Sequence, residues 1–478
     1  MRTDKVKVHI AGSRTASTLG SGRIPRKPFT KKMKKDYTIL VPMMAPIHFS
    51  IIQNVLTRAG YRAELLVNDG PGVMEEGLRY VHNDTCYPAL LVIGQMLDAL
   101  KSGRYDLNKT ALLMSQTGGG CRASNYIFLL RRALKKAGFD QIPVISFNVS
   151  GLEKNSGFRM TLPLALRMLA ALVYGDGLMA LVNQVKPYER EKGAAADLMD
   201  EWIRRLDGQF IQGKGFALRD MKLNFPRMAA DFHTIPCDRK PKVRVGIVGE
   251  IYVKYASLGN NNLEDFLADQ DCEVMVPGLL DFALYSLNSM PERSRLYGGN
   301  GLTAIAGEAI SLHIRQMQDS MINAIAAYPE FVAPSRFSHT KSLTEGMIGT
   351  GCDMGEGWLL TAEMVELVEK GYGNIVCTQP FGCLPNHICG KGMIRKIRDT
   401  NEDANIVPID YDPSATRVNQ ENRIKLMLAV ARENMDRDQG ANKKQKPDIP
   451  VPHRREGFIF YPGWNQWLPL RIPSCHSI

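Results

Sequence analysis

The chain has 478 residues, 44% of them hydrophobic and 23% charged, which suits two or three globular domains whose cores need neither disulfides nor structural metal. Its net charge of +11 sits mostly in the tails: residues 1–36 carry 11 Lys and Arg against two Asp, and residues 436–478 carry 7 basic against 4 acidic side chains. The body between is close to neutral, so the tails read as solvated segments and a nucleic-acid partner is not expected.

The basic tail, 1–36, lacks the apolar middle of a secretory signal. No apolar run in the chain approaches the ~20 residues that span a bilayer. The expectation is a cytoplasmic protein with no membrane attachment. Residues 37–41 then predict a short buried strand, 48–59 a helix ended by Gly60, and 61–67 a second strand. Helices over 88–100 and 124–137 alternate with strands over 111–115 and 144–148. Short apolar runs alternating with helical patterns argue for a doubly wound, mostly parallel sheet, so 37–150 is read as a first α/β domain. From 151 to 235 the pattern is helical, a connector. A Pro- and Lys-rich hinge opens a second α/β domain, 236–435, with strands over 243–248, 272–276, 374–378 and 406–410. Helical patterns lie at 262–268, 303–327, 359–370, 391–398 and 419–434, and the C-terminal tail, 436–478, is assigned no fold. Gly118-Gly119-Gly120-Cys121 and Gly349-Thr350-Gly351-Cys352 echo one another, each before a helix, which suggests two related halves.

The cytoplasm keeps thiols reduced, so the nine cysteines need a reason other than disulfides. In open α/β sheets ligands bind beyond the carboxyl ends of the strands. Cys121 follows the strand at 111–115 behind a run of glycines, Cys377 and Cys383 flank the end of the strand at 374–378, and Cys86 stands just before a helix. A cleft between the halves could gather these four. Convergent soft thiolates suit iron–sulfur or zinc. Spacing alone leaves separate structural thiols equally open, and the absence of any C-x-x-C weakens a zinc ribbon and a thioredoxin-like pair.

Longer segments resemble a known family. Asn83-Asp-Thr-Cys-Tyr-Pro-Ala, Gln116-Thr-Gly-Gly-Gly-Cys-Arg-Ala-Ser-Asn-Tyr, Gly246-Ile-Val-Gly-Glu-Ile-Tyr-Val, Gly355-Glu-Gly-Trp and Gln379-Pro-Phe-Gly-Cys-Leu-Pro-Asn-His resemble the 2-hydroxyacyl-CoA dehydratase superfamily, in particular its acyl-CoA dehydratase activase-related branch. The resemblance runs from about residue 37 to 434. It implies two flavodoxin-like domains holding an oxygen-sensitive 4Fe–4S cluster, and a partner activator ATPase with its own cluster that delivers a low-potential electron. Dehydratase members remove water from a 2-hydroxyacyl-CoA, and other relatives carry a double cubane and reduce small molecules. Carried over by position, the ligands are Cys86, Cys121, Cys383 and Cys377, with Cys352 and Cys389 in the neighbourhood. If all six bind, a double cubane follows; if three or four bind, a single cluster does. The role implied is a dehydratase or reductase-like component acting on an acyl-CoA thioester, or a non-catalytic electron carrier or regulator.

Glu356 and His387 are candidate acid/base groups, each with a plain alternative as a helix-start carboxylate and a solvated loop histidine. No complete Walker loop is present; Gly208 to Lys214 has the glycine spacing but continues with Gly215 where Ser or Thr is needed. Gly246-Ile-Val-Gly249 reads as a tight strand–loop turn ending in Glu250, which would repel phosphate. Cys237, Cys272 and Cys475 are read as structural or tail thiols.

Overall fold

The computed structural model describes residues 26–444, apart from 83, 117, 118, 149–152, 154, 299 and 300. Most of the basic N-terminal tail and the end of the C-terminal tail, with Cys475, therefore lie outside the described residues, as do Thr117 and Gly118 of the glycine run.

Two all-parallel, four-stranded sheets form the frame. The first contains β1 (Thr38–Pro42), β2 (Arg62–Leu66), β3 (Thr110–Ser115) and β4 (Val144–Phe147), in the order β2-β1-β3-β4. The second contains β5 (Val243–Gly249), β6 (Cys272–Met275), β7 (Asn374–Pro380) and β8 (Asn405–Tyr411), in the order β6-β5-β7-β8. Both orders run second, first, third, fourth, so the α/β architecture expected from the alternating pattern is present twice. In each sheet the order reverses between the first and third strands, and a crevice opens beyond their carboxyl ends. Three helices, Leu162–Val185, Ala194–Ile211 and Leu218–His233, occupy the stretch between the sheets.

Residues up to Arg432 pack as one compact unit, and Glu433 begins a second one, described only as the end of the helix Arg417–Lys444. The main apolar core explains why the halves are not independent. It joins Ile39, Val41 and Ile145 of the first sheet to Tyr174, Leu178 and Phe225 of the middle helices and to Leu280, Tyr285 and Trp358 from the second half. Full burial of each such side chain contributes about 1.5–3 kcal/mol.

The helix Leu162–Val185 corrects the reading that no apolar segment is long enough to span a bilayer. By length and composition it is, but 61% of its most apolar window is buried inside the protein. Arg167 and Asp176 break its apolar run without lowering the average much, which is why it escaped a search for unbroken runs. A helix apolar on all sides is buried on all sides, and this one threads the core. Its Asp176 is fully satisfied there, bonded to His48 Nε2 at 2.8 Å and accepting the N–H groups of Leu279 and Leu280 at 2.7 and 2.9 Å.

Among helices of ten residues or more, two had no counterpart in the sequence reading, Pro71–Tyr80 and Leu279–Tyr297. The first contains Gly72 and Gly77, residues that ordinarily weaken a helix. Its glycine has a packing role: a Cβ at Gly77 would stand 2.4 Å from the Leu90 carbonyl oxygen, and one at Gly94 would stand 2.1 Å from that of Val73. The helices Pro71–Tyr80 and Tyr87–Lys101 thus touch backbone to backbone. Gly94→Ala must push them apart and is expected to lower stability by about 1–3 kcal/mol, the usual cost of overpacking. An unchanged urea midpoint would show that the contact has slack.

Candidate functional site

The helix Tyr87–Lys101 positions the first thiol. Cys86 is its N-cap residue, extended in backbone and buried, with Pro88 in the first turn. Cys121 comes from the loop after β3 and caps the short 3-10 turn Arg122–Asn125. Cys383 comes from the loop after β7 and is also buried. These three, from the carboxyl edges of both sheets, share one site. The residues beside them, Thr85 and Gly382, meet at Arg122, and the Cys86 thiol influences the ionisation of the other two.

Arg122 ties the two loops together. Its Nη1 donates to the carbonyl oxygens of Asp84 at 3.0 Å, Thr85 at 3.3 Å and Gly382 at 2.9 Å. Gly382 is required at that contact: its φ is +75°, and a Cβ there would lie 2.3 Å from the Thr85 carbonyl oxygen. A backbone bond from the Tyr87 N–H to the Phe381 carbonyl at 3.1 Å closes the same seam.

The electrostatics are uneven. The hydrogen bond to Cys383 favours ionisation at Cys86, holding its thiol below the ordinary value, and the Tyr126 hydroxyl and the Arg122 charge act in the same direction against burial. Cys383 is pushed up by that shared bond and by burial. Burial raises Cys121 to about 11 despite the Ala123 N–H it accepts. Two buried carboxyls stand behind the thiols. Glu250 accepts the N–H groups of Tyr252 and Val253 at 3.1 and 3.0 Å, and Glu356 accepts that of Ile251 at 2.9 Å. Both are pushed above the carboxylate range, chiefly by burial, and Glu250 further by Glu356 and Cys86. Burial thus disfavours negative charge on both carboxyls beside the thiols.

The remaining predicted residues lie elsewhere. Cys377 is fully buried in a separate apolar core with Ile375, Ile397 and Ile406, and burial raises it to about 12. Cys352 is exposed and Cys389 is buried; burial chiefly raises the Cys389 thiol to about 12, with Cys352 adding to it. His387 is exposed, its Nδ1 facing the Gln379 amide at 2.5 Å. Cys272 is buried at the start of β6, as expected, and Cys237 is half-buried. Gly249 makes the tight turn anticipated after β5: a Cβ there would lie 2.0 Å from Thr378 Oγ1.

Sequence reasoning missed Arg122, Tyr126 and Glu250 as parts of the site. Arg122 was legible only as the neighbour of Cys121, and Glu250 was weighed against phosphate rather than beside thiols. Among the described residues no three or more His, Cys, Asp or Glu side chains gather around a single point as the ligands of one ion do. Thiols are soft donors of the kind that both iron–sulfur centres and zinc take. Comparison with protein-family models and with curated proteins returns no match for the chain.

Proposed function

We propose that this chain is the iron–sulfur component of an ATP-dependent, low-potential electron-transfer system, with a 4Fe–4S cluster on Cys86, Cys121 and Cys383 and an acyl-CoA thioester as substrate of a 2-hydroxyacyl-CoA dehydratase or reductase-like reaction. The observation that carries it is the meeting of three thiols from the carboxyl edges of two sheets, at a seam clipped by Arg122. When bound, the cluster supplies one-electron chemistry at low potential. The protein's own residues do the rest. Arg122 holds the loops of Cys86 and Cys383 at fixed separation. Glu250 and Glu356 place two carboxyls beside the thiols, where burial disfavours their charged forms. Phe381, Leu384 and Met354 present apolar surface on the Cys383 loop and on the 352–357 loop, which limits water at the opening.

A second reading, a non-catalytic electron carrier or regulator, is favoured by one observation: Glu356 is committed to the Ile251 N–H and His387 points to Gln379, so neither candidate acid/base group is free. Steady-state turnover of a CoA thioester separates the two readings. Both place the protein in the cytoplasm beside an activator ATPase. Protein prepared without air is expected to bind iron and sulfide and to bleach on exposure to oxygen. Colourless, iron-free protein after anaerobic reconstitution, with its thiols still titratable, would overturn the cluster. Alone, the chain is expected to hydrolyse no ATP, and adding the activator, ATP and a strong reductant should change its EPR signal. Hydrolysis by the isolated chain that vanishes on mutating its own residues would refute that division of labour.

A further inference from the structure

We infer that Met354 sets which ligands reach the three-thiol site: it admits slender, unbranched groups to Cys121 and turns away ring-sized ones. The inference rests on the reading of Cys86, Cys121 and Cys383 as one site, and adds the route by which a ligand arrives there. Cys86 and Cys383 are 5% and 4% exposed, whereas Cys121 is half-buried. The approach from solvent therefore runs past Cys121.

Met354 stands on that approach. A Cβ at Gly120 would lie 3.0 Å from its Sδ and 3.1 Å from its Cε, so the thioether rests on the glycine next to Cys121. A Cβ at Gly355 would lie 3.9 Å from Cys121 Sγ and 3.1 Å from Pro385 Cγ, which puts the backbone of this segment between the loops of Cys121 and Cys383. The φ of Gly355 is +60°, a left-handed conformation that glycine adopts without steric cost. Met354 is 57% exposed and Gly120 beneath it is exposed as well, so the side chain has room to swing towards solvent. Its unbranched thioether turns about three bonds.

The segment is pinned at its ends and meets the two loops at its middle only by packing. Arg293 Nε donates to Asp353 Oδ2 at 2.5 Å, and the Glu356 side chain accepts the Ile251 N–H at 2.9 Å. The Trp358 N–H donates to the Cys352 carbonyl at 2.8 Å and closes the base of the loop. A Cβ at Gly357 would lie 2.1 Å from that carbonyl oxygen and 2.4 Å from the Tyr285 hydroxyl, so the base has no slack. Among the described residues neither Met354 nor Gly355 hydrogen-bonds to the loops of Cys121 and Cys383. A slender group passes once the Met354 side chain rotates aside. A ring needs the backbone between the pins to lift, and the tether from Arg293 to Asp353 resists that.

Full-length protein, freed of bound metal by chelation under argon, is treated with iodoacetamide or with iodoacetanilide, which carries the same reacting carbon and a phenyl ring behind it. Modification of Cys121 is followed by peptide mass spectrometry, with free glutathione as the unscreened reference. In the parent, iodoacetanilide should fall several-fold behind iodoacetamide relative to their ratio on glutathione. Met354→Ala should bring the ratio back to that of glutathione, and Met354→Leu, close in size, should keep the parent ratio. Arg293→Ala, which frees the Asp353 end of the segment, should relax the ratio in the same direction as Met354→Ala. A parent ratio equal to that of glutathione, an unchanged ratio in Met354→Ala, or equal acceleration of both reagents there would overturn the proposal. So would an Arg293→Ala ratio equal to that of the parent. Iron uptake is measured separately on reconstituted protein: a parent that takes up none would refute the cluster and leave these rates as they stand.

Discussion

Cys86→Ser, Cys121→Ser and Cys383→Ser are each expected to lose most of the iron and sulfide that the parent protein takes up under anaerobic reconstitution, while Cys272→Ser loads normally. The contrast follows from placement. The first three residues share the seam between the sheets, where Arg122, next to Cys121, bonds the carbonyls of Thr85 and Gly382, the neighbours of Cys86 and Cys383. Cys272 begins β6 and meets none of them. Serine is close in size, so folding is preserved while the soft donor is lost. Equal iron in all four variants would show that the ligands are other residues; Cys377→Ser is then the next variant to load.

Lys254→Met is expected to destabilise the protein by about 3–5 kcal/mol at neutral pH, the range for a buried ion pair that loses one partner. Lys254 Nζ donates to both carboxylate oxygens of Glu363 at 3.1 and 3.3 Å, and the two side chains are 5% and 2% exposed. Glu363 already lies above the carboxylate range because burial outweighs the ammonium group, with Glu366 and Glu356 adding repulsion. Without Lys254 it rises further. A carboxyl raised in the folded state contributes its full stability below its unfolded value and loses it as pH climbs through the folded value. The deficit of the variant should therefore be smallest in acid and grow toward neutrality. Lys254→Met/Glu363→Leu removes the stranded charge and should recover most of the loss. Urea midpoints across that pH range measure both effects; a deficit that does not change with pH would mean that Glu363 finds another partner.

Much of the fold was legible because its strands are short apolar runs bounded by turn residues. β5 runs one residue past the strand predicted at 243–248, and β8 exceeds that predicted at 406–410 by one residue at each end. What failed did so for physical reasons. Pro71–Tyr80 was hidden by glycines that serve a helix contact, and Leu279–Tyr297 by Pro291 within it. Cys377 was read as a ligand from its place near the end of its strand, and the structure sets it among Ile375, Ile397 and Ile406. β7 is buried on both faces after its first residue, so alternation cannot tell which way a side chain points. The echo between the two Gly-Cys stretches suggested two related halves, and the two sheets share one strand order. Topologically Cys352, before the helix Trp358–Glu369 that leads into β7, corresponds to Cys86 before the helix that leads into β3. Cys383, after β7, is the counterpart of Cys121. The halves are related as the echo suggested, but through different cysteines.

The clip between Arg122 and Gly382 joins residues 260 positions apart in the chain. At about 5–20 residues per second of synthesis, Cys86 and Cys121 leave the ribosome on the order of 13–50 s before their third partner. Throughout that interval the nascent chain offers an incomplete thiol set, open to whatever reagent or stray ion it meets. On the proposed cluster, its three-thiol set is complete only after translation of nearly the whole body, and a translational pause before residue 383 would lengthen that interval.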